Sequence, residues 1–164
     1  CYALGDTTPL AMFFAKAAIT SLMYTFSCCS SITSLPNLHF NTGTASINCY
    51  NAFAACQSLK SAPRLGGDYG KISNADSMFR VCVSLQDLSP LLEDSTSWEW
   101  AATNVTSMFE ECRGIRWKMK EVYDAMSGSS TPPSTTSGCF NNAGDYVANP
   151  DLASIPSSWG GTGT

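Results

Sequence analysis

The chain has few charged residues and almost no histidine. Lysine, arginine, aspartate and glutamate make up 13% of its 164 residues, about half of the usual share in a globular protein. Small polar residues and alanine take their place, a composition that favours an extracellular or virion protein over a cytosolic enzyme. His39 is the only histidine, so a serine–histidine–aspartate arrangement would have a single possible base. We therefore expect no enzyme.

The chain also lacks a basic patch and a long apolar run. Its net charge is −4 and its nine basic residues are scattered, so we expect no binding to nucleic acid. The most apolar stretch, Leu10–Phe26, is interrupted by Lys16, Thr20 and Ser21. It does not reach the roughly 18 uninterrupted apolar residues that a membrane span requires, and we expect no such span.

A phenylalanine followed three residues later by a cysteine recurs along the chain. The four copies are Phe26/Cys29, Phe53/Cys56, Phe79/Cys82 and Phe109/Cys112. Successive phenylalanines are 27, 26 and 30 residues apart, and the first three copies continue as "ITSLPNL", "LKSAPRL" and "LQDLSPL". A weaker fifth copy begins at Phe140. This period lies in the range of leucine-rich repeats.

The periodicity predicts an α/β repeat solenoid of the leucine-rich-repeat type, with one short helix and one short parallel strand in each repeat. In this prediction the phenylalanine and cysteine of each helix point into the core. An asparagine or aspartate before each helix, as in "NADSMF" and "NVTSMF", caps its free N–H groups.

We predict a single domain over residues 1–164. A degenerate unit covers about 10–22, and repeats start near 23, 50, 76, 106 and 137. Composition predicts a flexible loop at 127–138 and a flexible tail at 160–164. After Cys112 and before this loop, the spacing of Trp117, Val122 and Met126 predicts a helix that ends at Gly128. Since the first residue is Cys1, we expect a processed product or a fragment of a longer chain.

Two motifs resemble the BspA-like leucine-rich repeats. They are "NVTSMFEEC" (Asn104–Cys112) and "CCSSITSLP" (Cys28–Pro36). The closing "NPDLASIPSSWGG" (Asn149–Gly161) is similar to the terminal segment of such repeats in phages and bacteria of the gut. The resemblance covers about residues 10–161. It implies a surface module, used in bacterial adhesins and in phage fibres, and phage fibres are often trimers.

The eight cysteines allow two interpretations, either disulfides or a row of buried free thiols. Stacked helices lie about 8–10 Å apart, whereas a disulfide needs Cα atoms within roughly 4.4–6.8 Å. We therefore expect free thiols at the four cysteines of the repeated motif. The redox state stays open for Cys1, Cys28, Cys49 and Cys139. No clustered metal ligands occur, and we expect no metal and no cofactor.

Aromatic residues are the candidate ligand-binding residues. Trp98 and Trp100 flank Glu99 in an inserted segment, where alternate residues of an extended chain share a face. Tyr69 lies in the glycine-rich "GGDYGK". The alternative is that one or both tryptophans cover the core edge. Trp117 and Trp159 are predicted to be core and cap residues. The adjacent Glu110 and Glu111 are predicted to be a solvated pair rather than an acid and a base.

The resemblance and the composition together favour a non-enzymatic, surface-displayed binding module. We expect it at a virion or cell surface, most plausibly as part of a phage fibre. Its expected partners are a host cell-surface glycan or protein and other virion proteins. Three alternatives stay open: a bacterial BspA-like adhesin or lipoprotein, a structural or decoration module of a virion, and a polysaccharide-degrading fibre domain.

Overall fold

The computed structural model describes residues 19–39, 46–66, 71–93 and 104–164. Within them, strands β1 (Leu38–His39) and β3 (Leu65–Gly66) form one parallel pair, and β2 (Ser46–Asn48) and β4 (Lys71–Asn74) form another. One α-helix, α1, covers Met119–Ser127. The short 3₁₀ helices are Ser89–Leu92, Asp145–Val147, Pro150–Ser154 and Ser157–Trp159.

The prediction of an α/β repeat solenoid is wrong. The described residues hold one α-helix and two separate two-stranded sheets, with no alternation of helix and strand. The segments that carry Phe-x-x-Cys are turns and not helices. Their three-residue spacing fits one turn of helix, but it equally fits a hydrogen-bonded turn, in which the N–H of Cys82 bonds the carbonyl of Phe79 at 3.0 Å.

The turns are linked to one another by backbone hydrogen bonds. We call the segments 22–28, 49–55, 75–81, 105–111 and 136–142 the turn ladder. In the third segment the N–H groups of Ser77, Phe79 and Val81 donate to carbonyls of the fourth segment, and that of Ala75 donates to Asn104 just before it. The intervening Met78 and Arg80 donate within their own segment. Alternate donors are therefore satisfied inside and between segments, which leaves no cost from unpaired buried N–H groups there.

Left-handed backbone conformations explain why these segments are not helical. Ser77 has φ 55° and Val81 has φ 62°, and the same two positions are left-handed in every segment of the turn ladder. The residues are Tyr24, Cys28, Asn51, Ala55, Ser77, Val81, Ser107, Glu111, Gly138 and Asn142. A left-handed residue interrupts a right-handed helix and costs an L-amino acid about 1–2 kcal/mol. The hydrogen bonds between segments offset this cost.

The predicted caps have a different role from the one expected. The side-chain oxygens of Asn48, Asn74 and Asn104 each accept the N–H two residues on, at 3.0, 2.9 and 2.9 Å. This is an Asx turn rather than a helix cap. The same contact recurs at Ser21, whose hydroxyl accepts the N–H of Met23 at 3.3 Å. These side chains start the first four turns of the ladder.

A column of phenylalanine rings forms the centre of the core. Consecutive rings have centroids 5.2–5.6 Å apart and interplanar angles of 3–18°, and all are buried. The members are Phe26, Phe53, Phe79, Phe109 and Phe140. Stacked aromatic pairs contribute about 0.5–1.5 kcal/mol each beyond the burial of their area. The ring column and the backbone bonds between turns therefore stabilise the same register.

The C-terminal part of the chain covers the end of the turn ladder. Helix α1 confirms the predicted helix, ends at Gly128 and buries Met119, Val122 and Met126. The N–H of Phe140 donates to the carbonyl of Trp159 at 2.8 Å. In the tail that was predicted to be flexible, Gly163 pairs with Pro156, and Thr162 N–H bonds the Leu152 carbonyl at 2.8 Å. In the predicted loop, Thr135 pairs with Asn104.

None of the helices in the described part of the chain has the length and apolar composition needed to cross a bilayer.

We expect Phe79→Ala to destabilise the protein by about 3–5 kcal/mol, because Phe79 lies mid-column between two stacked rings. The free energy of unfolding from urea titration measures this change. Tyr146→Ala is the matched control: Tyr146 is 68% exposed and makes a cation–π contact with Arg113, so its removal should cost no more than about 1 kcal/mol. Equal losses in the two variants would contradict the role of the ring column.

We expect Val81→Asn to stabilise the protein by about 1 kcal/mol, because a β-branched residue is strained at positive φ and asparagine tolerates it. The measurement is the urea midpoint. Val83→Asn makes the same change two residues on, outside the left-handed positions. A lower midpoint for Val81→Asn than for Val83→Asn would show that strain at Val81 is not significant.

Candidate functional site

The structure places the residues of the repeated motif in the core. All eight are at most 4% exposed. They are Phe26, Cys29, Phe53, Cys56, Phe79, Cys82, Phe109 and Cys112. None of these side chains can reach a ligand at the surface, so their role is packing.

The predicted ligand-binding residues Trp98, Trp100 and Tyr69 lie outside the described residues. Their role therefore stays a prediction.

Three cysteines that directly follow segments of the turn ladder donate hydrogen bonds to the preceding segment. The thiols of Cys56, Cys82 and Cys112 lie 3.0, 3.1 and 2.9 Å from the carbonyl oxygens of Phe26, Phe53 and Phe79. All seven described cysteines are free. The cysteines are free, but the spacing argument used to predict this was wrong. The segments are directly hydrogen-bonded neighbours and not helices about 8–10 Å apart.

Burial suppresses the chemistry of these thiols. It raises the pKa of Cys49 and of Cys56 from 9.0 to about 12, and it also raises the pKa of Cys82 and Cys139. The thiolate is the nucleophile and the metal ligand, so these protonated sulfurs are unsuited to both roles. The described residues include no group of three or more side chains that could hold a metal ion.

Glu110 and Glu111 are held ionised by separate partners. Burial opposes ionisation of Glu110, but hydrogen bonds led by that from Arg80 Nε at 2.8 Å lower its pKa. A hydrogen bond from Arg113 at 2.6 Å is the main cause of the lowered pKa of Glu111. A general acid needs a raised pKa, so the pair does not have the properties of an acid and a base.

Arg113 connects the fourth turn segment to the C-terminal region. Besides Glu111, it contacts Asp145 at 3.0 Å and lies 5.3 Å from the centroid of the Tyr146 ring. Asn142 donates to the second oxygen of Glu111 at 2.7 Å. Every charge in this network has a partner, so the arrangement positions the segment around Tyr146 rather than offering a free charge to a ligand.

Among the residues that the structure describes, three aromatic side chains are more than half exposed. Tyr24 is 54% exposed, Trp117 53% and Tyr146 68%. Tyr24 also packs edge to face on Tyr50, with ring centroids 5.3 Å apart. Exposed aromatic rings bury large areas on binding and are typical of recognition surfaces.

The prediction that Trp117 is a core residue is wrong. Trp117 pairs with Asp87, which pairs with Ser61, so its counterparts in the preceding copies are polar. Trp117, Asp87 and Ser61 each lie five residues after the motif cysteine of their copy. Comparing these positions would have indicated that Trp117 is not a core residue. Trp159 is partly buried and packs edge to face on Tyr123 at 5.1 Å.

Comparison with protein-family models, with curated proteins and with solved structures finds no match for this chain.

We expect Cys49→Ala to make the protein less sensitive to alkaline pH. The folded thiol has a pKa of about 12 against 9.0 for an ordinary thiol. Above pH 9 the unfolded chain loses a proton that the folded chain retains, so stability falls until about pH 12. Removing the thiol should reduce this slope by up to about 1.4 kcal/mol per pH unit.

The measurement is the free energy of unfolding at a series of pH values from neutral to alkaline. Alanine is the natural residue at the equivalent position Ala75, which is buried. The control is Cys28→Ala, at an exposed thiol. Identical slopes in the two variants would contradict a buried, protonated Cys49.

Proposed function

We propose that this chain is a non-enzymatic, surface-displayed binding module that engages a glycan or protein on a host cell, as part of a phage virion fibre. The observation that carries the proposal is the exposure of Tyr24, Trp117 and Tyr146. Their backbones are held by hydrogen bonds to neighbouring segments, so little order has to be gained when a ligand binds.

The chemistry of the described ionisable groups supports binding over catalysis. The buried thiols are kept protonated, and the adjacent carboxylates Glu110 and Glu111 are kept ionised by different partners. Neither arrangement resembles the paired, oppositely tuned groups of an acid–base site.

The location at a virion or cell surface is supported by composition and by motif. Only 13% of the residues are charged, and "NVTSMFEEC" and "CCSSITSLP" resemble the BspA-like surface repeats. A virion fibre and a bacterial adhesin would both display such a chain to another cell. The phage-like closing segment Asn149–Gly161 favours the fibre.

The test is binding of the fluorescently labelled chain to whole cells from a panel of gut bacteria. We expect binding to at least one strain, and a weaker signal for at least one of Tyr24→Ala, Trp117→Ala, Tyr146→Ala and the double variant Trp98→Ala/Trp100→Ala. An aromatic anchor typically contributes 2 kcal/mol or more, so the affinity should fall by roughly 30-fold.

Thr131→Ala is the control, since it changes an exposed, non-aromatic residue. Each variant should retain the unfolding midpoint of the parent chain. Binding to purified virions but to no cell would favour the decoration module instead. Undiminished cell binding by all four aromatic variants would overturn the proposed binding mode.

A further inference from the structure

A row of polar side chains lies in register across the copies after the turn ladder. The N–H of Lys60 donates to the carbonyl of Thr33 at 3.0 Å, that of Gln86 to Lys60 at 2.9 Å, and that of Arg116 to Gln86 at 2.9 Å. We call Lys60, Gln86 and Arg116 the basic row. Because their backbones are directly paired, the three residues succeed one another along the direction in which the segments stack.

The two cations of this row differ from the other described basic side chains. Each of the others has an acidic partner within 4.0 Å; the pairs are Arg64–Glu93, Arg80–Glu110, Arg113–Glu111, Lys118–Glu121 and Lys120–Asp124. Lys60 and Arg116 are both exposed and have no acidic partner among the residues that the structure describes. In a chain of net charge −4, they are positive charges available to a ligand.

The residues beside the row leave these charges accessible. Asp87 follows Gln86, but its carboxylate accepts the backbone N–H and the hydroxyl of Ser89 at 2.8 and 2.6 Å. Trp117 follows Arg116 and is 53% exposed. The row therefore combines two unpaired cations, an amide and a neighbouring aromatic ring, a set that suits a polyhydroxylated anion.

The spacing of the cations restricts the type of anion. The distance between successive phenylalanine rings gives the spacing, or step, between the same copies. The ring centroids are 5.2 Å apart from Phe53 to Phe79 and 5.6 Å apart from Phe79 to Phe109. Lys60 and Arg116 are two steps apart, so their backbones are separated by about 10 Å. One step is close to the length of a pyranose unit in an extended polysaccharide, and two steps correspond to a disaccharide.

We infer that the basic row binds an extended acidic polysaccharide in which acidic and neutral sugars alternate. Lys60 and Arg116 would contact the acidic groups of successive disaccharides, and the Gln86 amide would bond hydroxyls of the neutral sugar between them. This inference rests on the proposed function, because it assigns the class of glycan that a binding module of this kind would recognise.

The test compares binding to three polysaccharides: hyaluronan, with an acid on every second sugar; polygalacturonate, with an acid on every sugar; and neutral dextran. We expect hyaluronan to bind more tightly than dextran, and the affinity to fall as salt is added. The double variant Lys60→Gln/Arg116→Gln should lose at least about tenfold in affinity, because it removes both cations and hydrogen bonds to charged groups are roughly twice as strong as neutral ones.

The matched control is Lys118→Gln/Lys120→Gln, which removes the same charge from two paired cations and should retain binding. Single-stranded DNA is included as a non-sugar polyanion. Equal affinity for DNA, equal or tighter binding to polygalacturonate, equal binding to dextran, or equal losses in the two double variants would each overturn the inference.

The failure of this inference is distinguishable from the failure of the proposed function. If hyaluronan does not bind but whole cells are still bound through the aromatic residues, only the assignment of an acidic glycan is wrong. If neither cells nor any polysaccharide are bound, both fall.

Discussion

The structure depends on hydrogen bonds between backbones that have the same conformation in successive segments. In the turn ladder one N–H donates within its own turn and the next donates to the neighbouring turn. This alternation requires a left-handed residue at two fixed positions in each segment. The strain is tolerated because each segment over-determines the conformation of its neighbour. Isolated segments would have no such support, so order in this protein is cooperative along the chain.

The side chains of the core follow from this backbone geometry. Directly paired segments place equivalent residues about 5 Å apart. This lies within the roughly 4.5–7 Å centroid separation of offset-stacked rings, so a phenylalanine fits at every step. Beside the rings, a cysteine is small enough to lie between segments and can still donate to a carbonyl. Ala143 occupies this position directly after the last segment and is also buried, so small volume is the shared requirement.

The sequence predicted which residues are buried better than it predicted the backbone that buries them. Phe-x-x-Cys at a constant period indicates a shared interior, but its spacing cannot distinguish a helical turn from a tight turn. The left-handed positions hold residues as different as Tyr24, Val81 and Gly138, so they leave no signature. Trp117 was expected in the core because tryptophan is hydrophobic, although it is in register with the polar residues Asp87 and Ser61. Among the described residues Lys60 and Arg116 have no acidic partner, and no periodicity of the sequence reveals this.

The bond between Phe140 N–H and the Trp159 carbonyl has a consequence for the state of association. A ladder of parallel segments ends in unpaired backbone groups, and such an edge is a template on which another molecule can add. Here the chain supplies its own final partner, reinforced by the pairing of Pro156 with Gly163. At this end, part of the ladder edge is therefore paired within the molecule, which leaves fewer backbone groups on which a further molecule could add.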